Sequence, residues 1–241
     1  MTRFNGRNAD ELRTLNFHRG FTENAEGSVL VSAGRTRVLC TASVLPGVPR
    51  WMRSKGEGWL TAEYAMLPGS VDGRKAREHN KRDGRSVEIQ RLIGRSLRAA
   101  VDLSAFPEFT IHVDCDVLQA DGGTRCASIT GGMMAIHDAL QVLESRGQLK
   151  RAGIRHWISA ISVGVVDDAA VLDLDYGEDF AADVDMNIIA TADGKIIEVQ
   201  GTAEGAPFSR EMHDQLLDLG LAGTGSMCVT MQELAAAGLE V

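Results

Sequence analysis

The pattern of the chain predicts an α/β fold of the α+β type, organised as two tandem βα modules in which mixed sheets pack with helices. Three observations carry the prediction: a β-branched hairpin near the N-terminus, a strand running through a glycine pair into a long apolar helix, and a second half that repeats strands before helices.

The hairpin comes first. Residues 28–44, SVLVSAGRTRVLCTASV, are β-branched and apolar on both sides of Ala33-Gly34-Arg35, so two strands turn at Gly34. From 51 to 85 the composition shifts to glycine and charged residues, and a mobile basic loop is expected from Gly69 to Gly84, with Ser86 capping the helix that follows. In that helix Ile89, Leu92, Ile93, Leu97, Ala100 and Val101 recur at helical spacing, opposite a charged stripe of Glu88, Arg91, Arg95, Arg98 and Asp102. Residues 110–118 alternate as a strand and lead through Gln119-Ala120-Asp121-Gly122-Gly123 into a helix with Ile129, Met133, Ile136, Leu140 and Leu143 on its apolar positions, stopped near Gly147. Strands then follow near 158–166, 171–176, 184–191 and 196–200, the last two joined by the turn-forming pair Asp193-Gly194. One helix is expected after Ser209 and another after Ser226, separated by the glycines between 220 and 225. The modules divide near 147–156, as residues 1–150 and 151–241.

Composition narrows the function. With 241 residues, 44% hydrophobic and 24% charged, the chain can bury a sizeable core. No run reaches the roughly 18 apolar residues a membrane span needs, and the first twenty residues are polar and carry no apolar signal-peptide block, so the expected location is the cytoplasm. The four cysteines form no CxxC pair and no HExxH occurs, which leaves zinc and redox motifs without support. The net charge is −8, yet nine basic and three acidic residues fall between Arg74 and Arg98, a local +6 that leaves −14 on the rest. Such segregation fits either a basic channel on an acidic protein or a solvated charged face.

Two constellations bear on chemistry. Gly122-Gly123 before a helix lets backbone N–H groups approach an anion, with Thr124 and Arg125 as further donors; no GxxxxGK[ST] is present, so this is not a nucleoside-triphosphatase loop. Arg85, beside another helix start, offers a second planar guanidinium for phosphate oxygens. Asp173, Asp175, Glu178, Asp179, Asp183 and Asp185 crowd into thirteen residues, where two carboxylates and a substrate phosphate could hold Mg²⁺, or where the acids simply form a solvated hairpin.

Taken together these residues resemble the RNase PH family. The likeness runs from the N-terminus to about residue 220, through Asp10-Glu11-Leu12-Arg13, GSVLVSAGRTRVLCTASV at 27–44, GWLTAEYAMLP at 58–68, GRSVEIQRLIGRSLRAAVDL at 84–103, DCDVLQADGGTR at 114–125, DMN at 185–187 and EVQGTAEG at 198–205. The resemblance implies a pair of related βα modules, a ring of six subunits built from dimers, and phosphorolysis, in which phosphate shortens tRNA precursors and other RNA from the 3′ end and nucleoside diphosphates leave. It further implies that Arg85, Gly123, Thr124 and Arg125 bind phosphate, that Asp179 and Asp185 serve in Mg²⁺ binding and acid catalysis, and that Arg74 and Arg77 grip RNA. A non-catalytic RNA-binding ring subunit of an exosome-like assembly is the alternative. The chain departs from the pattern at Gly69 (usually Arg), at Phe180 (usually Ser), at Cys126 (usually Thr) and at Thr14 (usually Pro), and the loop before Arg85 is about two residues short. An RNA contact is therefore expected to be missing at Gly69, and an aromatic beside Asp179 to narrow the metal site.

Overall fold

A computed structural model describes residue 3, residues 6–77 and residues 83–238. In chain order the elements are β1 (Leu15–Arg19), β2 (Gly27–Ala33), β3 (Thr36–Pro46), β4 (Trp59–Met66), α1 (Gly84–Ala100), β5 (Phe109–Gln119), α2 (Thr124–Ser145), β6 (Ile158–Val166), β7 (Ala169–Leu172), α3 (Tyr176–Ala181), β8 (Val184–Thr191), β9 (Ile196–Ala203) and α4 (Arg210–Ala236). The mixed α/β architecture is the predicted one. The first sheet has strand order β1-β2-β3-β5-β4, antiparallel except for the parallel β4/β5 pair, and the second is antiparallel with order β7-β6-β8-β9.

The hairpin turns where glycine allows it: Ala33 pairs with Thr36, and Gly34 takes φ +56°. Strand β4 lies inside the stretch where the composition shifts to glycine and charged residues and where no strand is expected from the sequence. Leu60, Ala62 and Tyr64 point inward in alternation, but small and charged neighbours dilute that signal.

The expected loop from Gly69 to Gly84 falls partly, at residues 78–82, outside the described residues. Its first part is anchored, with the Lys75 amide donating to Pro68 O at 2.8 Å and the Ala120 amide to Ser70 O at 2.8 Å. The helix cap differs from expectation. Asp83, not Ser86, precedes α1 and accepts from the Arg85 amide at 3.2 Å, while Ser86 is buried in the first turn.

Helix α2 lies between the two sheets, against β2, β3 and β5 on one side and β6 on the other. That position explains why it is apolar nearly all round. A Cβ at Gly131 would lie 2.6 Å from Val31 Cγ1, so glycine sets how closely the helix meets the first sheet. One continuous cluster joins Val31, Ile93, Val113 and Met133 to Ile158, Ala160 and Met231 from the second half. All four cysteines are buried and free of disulfides.

The C-terminal half differs at two places. β7 ends at Leu172, and the residues that follow form the short helix α3 instead of extending the strand. The two expected C-terminal helices are one: α4 starts from Ser209, whose hydroxyl accepts from the Met212 amide at 3.2 Å, and continues to Ala236 without a break at Ser226. Gly220 and Gly223 do not end the helix; they let it approach β8 and β7, where a Cβ would collide with Ile188 and sit 2.8 Å from Leu172 Cδ1. Among the described residues no helix is long and apolar enough to cross a membrane.

Candidate active site

The link from β5 to α2 sits at the floor of a cleft of about 670 Å³. Gly122 and Gly123 take φ +75° and +64°, a left-handed pair that only glycine adopts without strain. Side chains are also excluded sterically, since a Cβ at Gly122 would lie 2.7 Å from Leu174 O and one at Gly123 2.9 Å from Arg13 Nη2. Gly123 is the N-cap of α2 and has no side chain to bond the first amides, and no acid occupies the first turn. The helix N-terminus, with its partial positive charge, therefore faces the cleft uncapped by any side chain.

Three residues that the motif reading left without roles hold this turn. Arg13 Nη1 donates to Asp121 O at 2.7 Å, Thr36 Oγ1 donates to Gly122 O at 2.7 Å and accepts from the Asp121 amide at 2.9 Å, and Tyr64 Oη shares a 2.9 Å hydrogen bond with Thr124 Oγ1. They lie far from the turn in sequence, and a spacing argument does not reach them.

Arg85, Gly123, Thr124, Arg125, Asp179 and Asp185 all line this one cleft, together with Lys75, Ser162, Tyr176 and Asn187. Arg125 is aimed by Gln200, to whose Oε1 its Nη1 donates at 2.9 Å, and by Glu88 at 3.5 Å. Arg85 is exposed at the start of α1. Arg74 and Arg77 are exposed too, but they do not line the cleft; Lys75 does, and its ammonium lies 3.0 Å from Asp83 Oδ2.

The acidic cluster divides into two groups. Asp173 and Glu178 are buried in an ion network with the N-terminal segment. Arg13 Nη2 donates to Asp173 Oδ1 at 2.6 Å, Arg3 Nε to Glu178 Oε1 at 2.6 Å and Arg7 Nη2 to Glu178 Oε2 at 3.0 Å. Asp175 caps α3, accepting from the Glu178 amide at 3.0 Å while Glu178 accepts from the Asp175 amide. The charges of Asp173 and Glu178 are thus compensated by three arginines more than 150 residues away. Asp183 is exposed and does not line the cleft, and Asp179 and Asp185 face it. Burial pushes the Asp179 carboxyl above its ordinary range, the neighbouring Asp185 pushes the same way, and Arg85, Arg125 and Arg13 oppose them.

Phe180 does not narrow this site. It is 83% exposed and is not among the residues lining the cleft, because successive positions on α3 send Asp179 and Phe180 in different directions. At Gly69, in a single 3₁₀ turn, a Cβ would meet nothing within 4 Å. Cys126 is buried behind the turn, its Sγ 3.3 Å from Asn187 Oδ1, and burial lifts its thiol to about 12, too high for a nucleophile.

The model of the 3′ exoribonuclease family, domain 1, matches residues 11–141, and that of domain 2 matches residues 156–223. The chain belongs to the RNase PH family. Solved structures agree on the RNase PH-type fold. The chain is similar to rice (Oryza sativa) Rrp46 at 19% identity and a TM-score of 0.79, covering 97% of this chain and 100% of that one. A chain of the Archaeoglobus fulgidus exosome with RNA bound to the active site is 24% identical, with a TM-score of 0.78 over 93% of this chain and 91% of that one. An archaeal exosome core chain gives 22% and 0.77 over 95% and 91%.

Proposed function

We propose that this RNase PH-family chain is a phosphorolytic 3′–5′ exoribonuclease that trims the 3′ ends of tRNA precursors with inorganic phosphate. The observation that carries the reading is the convergence of Arg85, Arg125 and the open N-terminus of α2 on the cleft that also holds Asp179 and Asp185. An anionic nucleophile must approach an anionic diester, and two guanidinium groups with a helix N-terminus can neutralise that charge at close range. A phosphate oxygen attacks the phosphorus of the last linkage, the bond from that phosphorus to the 3′ oxygen of the penultimate nucleotide breaks, and a nucleoside diphosphate leaves. The released 3′ oxygen takes a proton, which we assign to one carboxyl of the Asp179 and Asp185 pair that lines the cleft.

The same pair fits Mg²⁺, a hard cation that takes one or two carboxylates and fills its shell with water and substrate phosphate. Asp179, Asp185 and Asn187 line the cleft together as oxygen donors, while among the described residues no group of three or more His, Cys, Asp or Glu side chains has the arrangement of a metal site. Bound there, Mg²⁺ would supply stabilisation of charge on the reacting phosphoryl oxygens. Arg74 and Arg77, exposed beyond the cleft, are proposed to hold the RNA strand further from its end. We further propose residues 1–150 and 151–241 as the two modules and a homohexameric ring as the assembly.

A second reading is a ring subunit of an exosome-like assembly that binds RNA without cleaving it; the likeness to exosome chains supports the assembly and the RNA partner. One assay separates the two. Purified protein is incubated with a tRNA carrying extra 3′ nucleotides, Mg²⁺ and radiolabelled phosphate. Label appearing in nucleoside diphosphates is the expected result; a ring that binds the tRNA and releases no labelled diphosphate would establish the subunit reading instead.

A further inference from the structure

Among the described residues the most exposed large apolar side chains sit beside the cleft. Phe180 is 83% exposed and Tyr176 63%, and both belong to α3. They are four residues apart, hence on one face of the helix, with ring centroids 6.4 Å apart and planes tilted by 32°. Tyr176 itself lines the cleft, so the ring pair runs from the wall of the phosphate site outward.

The helix that carries the pair is also anchored. The backbone of Leu174 to Tyr176 packs directly on Gly122, so the phosphate turn and the start of α3 share one contact. Glu178, between the two rings in sequence, is tied by Arg3 and Arg7 and closes the capping box with Asp175. Ordering α3 therefore requires no ligand. Aromatic rings on an anchored element near cationic groups can stack the bases of a single strand whose phosphates are held nearby, because every base has a π face.

We propose that Tyr176 and Phe180 form a platform on which a base near the 3′ end of a bound RNA strand stacks. The inference rests on the reading of the cleft as an RNA 3′-end site, and it places the recognised base at the position where this chain departs from its family's pattern, Phe180.

The test is a binding cycle in the absence of phosphate. Labelled single-stranded oligoribonucleotides, intact or carrying one abasic nucleotide at successive positions from the 3′ end, are titrated against the full-length protein and its variants. Phe180→Ala is expected to weaken binding of the intact strand by about fivefold or more. Phe180→Trp should restore it. One abasic position should cost the parent protein a similar factor, and on that strand the parent and Phe180→Ala should bind alike. Phe180→Ala affinity within twofold of the parent, a loss that is the same on every abasic strand, or dissociation of the assembly as the sole effect of Phe180→Ala would each overturn the platform. Failure of the underlying reading looks different. A parent protein that binds RNA in this cycle but, in the separate assay with Mg²⁺ and radiolabelled phosphate, releases no labelled nucleoside diphosphate overturns phosphorolysis and leaves the platform standing.

Discussion

At Arg125 the demands of folding and chemistry separate. Its guanidinium is aimed by Gln200 and Glu88 at the edge of the cleft, and neither contact belongs to the core. Arg125→Ala should therefore fold normally, lose about 10²-fold or more of phosphorolysis, and keep RNA affinity within a few-fold; an equal loss of both would contradict the assigned role. Asp114 shows the opposite case, a residue the fold carries at a cost. It lies on β5 opposite Glu63 of the parallel neighbour β4. Burial and then Glu63 raise its carboxyl above the ordinary 3.8, with His112 opposing. A carboxyl raised in the folded state binds its proton more tightly there than in the unfolded chain. Its penalty on stability is therefore full above the folded value and fades as pH falls towards the unfolded one. Asp114→Asn should accordingly raise the urea midpoint at pH 7, with an advantage that shrinks as the pH is lowered towards the ordinary carboxylate range. An advantage that stays constant with pH would refute this account.

Among the elements, α4 shows how one residue type serves two purposes. Glycine in a helix costs about 1 kcal/mol relative to alanine, and α4 carries Gly220, Gly223 and Gly225 in succession. The first two face β8 and β7 at distances that leave no room for a Cβ, whereas a Cβ at Gly225 would meet nothing within 4 Å. Gly225→Ala should then stabilise the protein by up to about 1 kcal/mol, while Gly220→Ala should destabilise it by roughly 1–3 kcal/mol through overpacking against Ile188. Adding Ile188→Val, which removes the colliding methyl, should make the double variant more stable than the sum of the two single changes. Denaturant unfolding of the four proteins checks this, and additivity of Gly220→Ala with Ile188→Val would show that the contact does not set the helix position.

For the molecule as a whole, the buried ion network joins parts that no local interaction connects. Arg13 holds Asp173 of the second half through two side-chain hydrogen bonds and, through Nη1, the carbonyl of Asp121 in the phosphate turn. One guanidinium thus ties the N-terminal segment, the second sheet and the cleft floor together. Removing one partner of a buried pair leaves the other charge uncompensated, so Asp173→Asn should cost about 3–5 kcal/mol and weaken phosphate use by loosening the turn. Arg13→Lys should not substitute, because an ammonium lacks the planar fork. A midpoint for Asp173→Asn within error of the parent would show that the network adds no stability.

The hairpin at Gly34, strands 158–166 and 184–191, the glycine pair before α2 and the start of α4 at Ser209 were determined by the sequence itself. Each rests on a period of two or 3.6 residues, or on a backbone angle only glycine tolerates, and such causes act between near neighbours. Strand β4, the cap at Asp83, the short α3 and the unbroken α4 depended on packing, since small or polar residues mask the period there and glycine reads as a break until a partner surface fills the space. The site divides in the same way. Gly123, Thr124 and Arg125 declare themselves in the sequence as an anion turn, and Asp179 and Asp185 as members of an acidic cluster. That they share one cleft with Arg85, while Asp173 and Glu178 turn away to meet Arg13, Arg3 and Arg7, was decided only by the tertiary structure. Charges separated by as many as 175 residues are paired by the approach of two sheets, and no local pattern encodes that approach.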